Sequence, residues 1–186
     1  MSGISYRAAE MERLGEIIDI VSRLDYRELL TYWTRQEMKK AEMYHFLHQL
    51  NGDVSWDERV SRLFGKLYEE SLGQAEELVE TFKKQFPYEK MAESGVPSIE
   101  VELSKEMLRE LVYQGNFGEL LEYLLGLEGL AIEVYSHLAE NATDSNVKGL
   151  LLKLSQAGTE HYNKLKELRS TVLSEAGKNP IKLLEE

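Results

Sequence analysis

Two glutamates in this 186-residue chain stand where a helix would bury them. Glu37 falls in the stripe Leu30, Trp33, Glu37, Ala41, Tyr44 and Leu47. Glu128 falls in Leu121, Leu124, Leu125, Glu128, Ala131, Ile132, Tyr135 and Leu138. Steps of three and four residues put each set on one helix face. A third stripe, Leu150, Leu151, Leu154, Ala157, Gly158, His161, Leu165 and Leu168, is interrupted by His161. A fourth, Leu63, Phe64, Leu67, Ser71, Gln74 and Leu78, is interrupted by Ser71 and Gln74. Antiparallel pairing of such helices would bring the interruptions to one level. An unpaired buried carboxylate costs several kcal/mol or shifts its pKa sharply. The chemistry required is therefore a bound metal ion or a hydrogen-bonding set.

The elements that must position these residues follow from periodicity and punctuation. The only prolines are Pro87, Pro97 and Pro180, which leave two long proline-free stretches, 1–86 and 98–179. Helices are predicted over 6–23, with Leu14, Ile17, Ile18 and Val21 on one face, and from an Asp25 N-cap to about 50. Ser55 and Glu58 fit a capping box that opens a third helix, which Pro87 stops after Phe86. Tyr88 to Ser104 reads as an extended crossover and 105–113 as a short helix, with a break at Gln114-Gly115-Asn116. Long helices then cover 117–140 and 146–175, and Gly177 is placed as the stop. The expected architecture is all-α: a helical addition over 1–24, a four-helix bundle of two hairpins over 25–176, and a tail over 177–186.

The two hairpins look like duplicates. Glu37, Ala41, Glu42 and Tyr44 recur as Glu128, Ile132, Glu133 and Tyr135 at an offset of 128 − 37 = 91 residues, and Leu47 and Leu138 continue the match. Over 26–86 and 117–175 the chain resembles the rubrerythrin-type branch of the ferritin-like superfamily, whose bundles have one long crossover. In that family each first helix supplies a glutamate seven residues before a tyrosine, as Glu37 with Tyr44 and Glu128 with Tyr135. Each second helix supplies Glu-x-x-His, and four carboxylates with two imidazoles hold two iron ions. Here the second-helix motifs read Ser71-x-x-Gln74 and Gly158-x-x-His161. Three of the six ligands stay in register: Glu37, Glu128 and His161. Two carboxylates neutralise half the charge of two ferrous ions, so an ordinary di-iron centre is not expected.

What the resemblance implies is a relative of di-iron redox proteins, handling peroxide or dioxygen, with a partly lost metal site. An active form would be a metal-dependent oxidoreductase. Glu37, Glu128 and His161 would hold one Fe, Zn or Mn ion, with Gln74 and Glu70 as accessory ligands. Tyr44 and Tyr135 would hydrogen-bond the ligand carboxylates. The alternative is a metal-free scaffold or partner-binding bundle in which Glu37, Glu128, His161 and Gln74 satisfy one another. The metal-free form is the expected state.

The remaining histidines are placed elsewhere. Glu42 and His45 have Glu-x-x-His spacing, but Glu42 lies about 140° around the helix from Glu37. His48 is three turns, about 16 Å, along the axis from Glu37, and His137 is about 180° from Glu128. His48 is expected at the core edge and His137 in solvent.

Composition removes other classes. With 22 Lys+Arg against 33 Asp+Glu the net charge is −11, which argues against nucleic acid or an anionic membrane as partner. The absence of cysteine excludes disulfides, thiolate chemistry and the four-cysteine iron domain of full-length rubrerythrins. No apolar run is long enough to span a bilayer, and no apolar signal region opens the chain, so a cytoplasmic protein is expected. No glycine-rich phosphate loop or Gly-x-Ser-x-Gly elbow occurs. A homodimer is expected, with the apolar face of the helix over 6–23 as one surface needing cover.

Overall fold

The computed structural model describes residues 2–54, 57–92, 95–99 and 104–178, and side-chain surroundings within 12–175. The described residues form six helices and no strand: α1 (Ser2–Val21), α2 (Tyr26–Asp53), α3 (Glu58–Gln85), α4 (Lys105–Tyr113), α5 (Phe117–Asn141) and α6 (Ser145–Lys178). None of these helices is long and apolar enough to cross a membrane.

Local chemistry sets most helix ends where the sequence places them. Asp25 caps α2, accepting from the Glu28 N–H while the Glu28 carboxylate accepts from the Asp25 N–H, a reciprocal capping box. Phe86 ends α3 and Pro87 follows it. Gly115 turns the chain between α4 and α5 at φ +71°, a conformation that penalises a Cβ. Several ends differ from expectation: α1 spans Ser2–Val21 rather than 6–23, and α2 continues to Asp53. α3 starts at Glu58 with Asp57 as N-cap, its carboxylate accepting from the Arg59 N–H; the expected cap, Ser55, lies outside the described residues. α6 continues through Gly177 to Lys178, because a lone glycine weakens a helix without having to stop it. The tail from 179 lies outside the described residues.

Contacts along the four long helices fix their directions. His45 packs at a tilt against Tyr68 and the His48 ring meets the Ser61 carbonyl, so α2 and α3 run antiparallel. Ser136 meets Ser155 and Glu122 pairs with Arg169, so α5 and α6 do as well. Trp33 packs edge-on to Tyr135 while Tyr44 reaches Glu128, and Glu77 pairs with Lys153 while Arg59 pairs with Glu175. The hairpins therefore face each other with α2 against α5 and α3 against α6. In that arrangement α3 and α5 point the same way. The chain leaving α3 must return the length of the bundle, about 42 Å for 28 residues, before α5 can begin. It does so alongside α2: Arg27 pairs with Glu89, Tyr32 donates to the Pro97 carbonyl, and Ser98 donates to Gln36.

Two apolar clusters fill the interior. One gathers Ile17 and Val21 of α1 with Leu30, Trp33, Leu78, Phe82, Tyr135 and Leu151. The other gathers Tyr44, Leu47, Phe64, Leu67, Leu121, Leu124 and Leu165. Ile17 and Val21 of α1 are thus buried within the bundle, with Leu14 and Ile18 partly buried beside them. Between the two clusters lies a buried polar level.

Candidate functional site

Glu37 of α2, Glu128 of α5 and His161 of α6 are each 1% exposed, and Ser71 of α3 is fully buried. All four long helices contribute to the level, as the stripe interruptions require. His161 Nδ1 lies 3.3 Å from Glu128 Oε1. Tyr44 Oη donates to the same oxygen at 2.8 Å. The tyrosine of the first repeat thus serves the glutamate of the second. Tyr135 is buried against Trp33, ring centroids 4.6 Å apart.

Lys40, which none of the apolar stripes includes, also enters the level. One helical turn beyond Glu37, its side chain is 4% exposed, and Nζ lies 3.5 Å from Glu37 Oε1 and 3.3 Å from Glu128 Oε2. An ammonium therefore stands between the two carboxylates. The signal was present in the repeat: the counterpart of Lys40 at the same offset, 131 − 40 = 91, is Ala131, a core residue. A lysine aligned with a buried alanine, three residues from a buried glutamate, is a cation on an interior face.

Glu70, expected as an accessory ligand, also enters the site. Ser71 keeps the interior position, and Glu70 reaches round from the flank. Its Oε2 lies 3.3 Å from His161 Nε2, off the line of a directed hydrogen bond. Lys164 Nζ clamps the same carboxylate at 2.7 and 2.6 Å. Gln74 is half-buried and faces a cleft of about 440 Å³ between α3 and α6, with Glu77, Leu78, Lys153 and Leu154. At the second motif position, a Cβ on Gly158 would stand 3.1 Å from Ile132 Cγ1 and 3.8 Å from Glu128 Oε2. The residue faces the level, but Ile132 crowds the path of a longer side chain.

The other histidines stand as the helical geometry requires: His45 and His137 are exposed, and His48 is half-buried.

Electrostatics divides the two glutamates. Burial alone would push the Glu128 carboxyl up, but the Lys40 ammonium, with His161 and Tyr44, outweighs it and holds the group down at about 2. Burial pushes the Glu37 carboxyl up; Lys40 opposes this, and repulsion from Glu128 adds to it. The two buried carboxyls are thus pushed in opposite directions, Glu128 down and Glu37 up.

This donor set does not fit a metal ion as it stands. Among the described residues no group of three or more His, Asp or Glu side chains is gathered to hold one. Lys40 stands between the two carboxylates, and the two ring nitrogens of His161 each face a different carboxylate. No family profile, curated protein or solved structure matches this chain.

Proposed function

We propose that this chain is a ferritin-like bundle that works without a resident metal, as a scaffold or partner-binding protein rather than an oxidoreductase. The observation that carries this reading is Lys40 Nζ between Glu37 and Glu128. A divalent ion there would meet the positive charge of a side chain that is itself buried and paired. Duplicate Glu-seven-Tyr helices, the long crossover and the shared polar level support descent from a metal-binding plan. The neutralised carboxylates support loss of its chemistry. In this reading the level sets the register of the hairpins, a known use of buried polar groups.

Elemental analysis of protein purified from iron-, zinc- and manganese-supplemented growth tests the proposal. Less than a tenth of an ion per chain is expected. One ion bound through His161 would instead favour the metal-dependent redox reading, and two would overturn the argument from Ser71 and Gly158 as well.

A further inference from the structure

We infer that Lys40 is the single residue that closes the polar level to divalent cations, standing in for the cation that the surrounding groups are otherwise arranged to hold. The inference rests on the metal-independent reading and goes beyond it, by assigning the exclusion to one side chain and naming the donor set beneath it. Carboxylates brought together from α2 and α5 need positive charge between them. Lys40 supplies it from 3.3 and 3.5 Å, as a point charge rather than through a short directed bond. Ala131, at the equivalent place in the other hairpin, supplies none. One cation therefore serves both glutamates.

Around that charge stand further polar groups. Tyr44 Oη donates to Glu128 at 2.8 Å. His161 Nδ1 lies on the carboxylate side, 3.3 Å from Glu128 Oε1. Its opposite nitrogen faces Glu70, which Lys164 holds in place. A carboxylate behind an imidazole is the arrangement that fixes the ring of a metal-binding histidine. Glu37 Oε2 and His161 Nε2 are buried atoms that make no hydrogen bond. With Lys40 shortened, Glu37, Glu128 and His161 offer two oxygen donors and one nitrogen donor, with Glu70 positioning the imidazole. That set suits Zn²⁺, Co²⁺ or Mn²⁺ with water completing the shell.

The test uses the full chain as wild type, Lys40→Ala, Lys40→Ala/His161→Gln and Lys40→Ala/Glu70→Gln. Binding of Co²⁺ is followed by its visible d–d bands, and binding of Zn²⁺ by equilibrium dialysis with elemental analysis. Lys40→Ala should take up one ion per chain where wild type takes up none. The added His161→Gln should abolish the Co²⁺ bands, and Glu70→Gln should weaken binding by roughly 10–100-fold. If Lys40→Ala is unfolded alone, Zn²⁺ should restore its helical circular dichroism, because binding then drives folding. A folded Lys40→Ala that binds no ion, or an unfolded one that Zn²⁺ does not rescue, overturns the inference and leaves the metal-independent reading intact. Wild type that binds Zn²⁺ as tightly as Lys40→Ala overturns both.

Discussion

At the scale of residues, one ammonium serves two buried carboxylates unequally. Glu128 has Lys40, Tyr44 and His161 as partners, whereas Glu37 Oε2 makes no hydrogen bond. The two positions should therefore respond differently to the same neutral replacement. Glu128→Gln breaks a buried pair and should cost about 3–5 kcal/mol at neutral pH. Glu37→Gln removes a carboxylate whose charged form burial already disfavours, and should cost clearly less than Glu128→Gln. Urea denaturation of both variants checks this, and equal losses would contradict the charge assignment. The pH dependence has opposite signs at the two sites. Glu128, depressed from its ordinary 4.5 to about 2, contributes stability that is full above 4.5 and is lost as pH falls through about 2. Glu37, raised from 4.5, folds more favourably protonated, so its contribution declines as pH rises from 4.5 through the raised value. Denaturation midpoints between pH 2 and 8 should show the acid-side loss in wild type and a weaker one in Glu128→Gln.

At the scale of elements, the periodic apolar steps that predict the four long helices also carry their burial, and Asp25 with Glu28 fixes the start of α2. Glycine context separates positions that the sequence alone treats alike. A Cβ at Gly73, exposed on α3, meets nothing within 4 Å, whereas one at Gly158 on α6 meets Ile132 at 3.1 Å. Gly73→Ala should therefore raise stability by up to about 1 kcal/mol through helix propensity. Gly158→Ala should gain clearly less, or lose, because Ile132 must give way. Thermal melts of the two variants side by side measure the difference, and equal gains would mean that α5 and α6 can separate at little cost.

At the scale of the whole molecule, α1 closes one end of the interior, with Ile17 3% exposed and Val21 fully buried within a single chain. Ile17→Ala should cost about 2–5 kcal/mol, and the cost should be independent of protein concentration, because the face is covered from within. Denaturation at micromolar and at hundred-micromolar protein, with light scattering at both, checks this. A penalty that shrinks at high concentration would return the face to a dimer contact.

The sequence by itself determined the helices, the long return connection and the presence of a polar level. Those features depend on local propensity and on apolar spacing, which every turn of a helix repeats. The polar interruptions of the apolar stripes also pointed to Glu37, Glu128 and His161 at one level, since antiparallel hairpins of similar length bring their midpoints into register. Only the tertiary structure decided what neutralises them. Lys40 shares its repeat position with the core residue Ala131, which marks an interior face, but its reach toward Glu128, 88 residues away, exists only once α2 packs on α5. Glu70 likewise reads as part of a solvated acidic run until α6 brings His161 and Lys164 beside it. Charge partners of this kind depend on where long side chains end across a helix interface, which spacing along one chain does not encode.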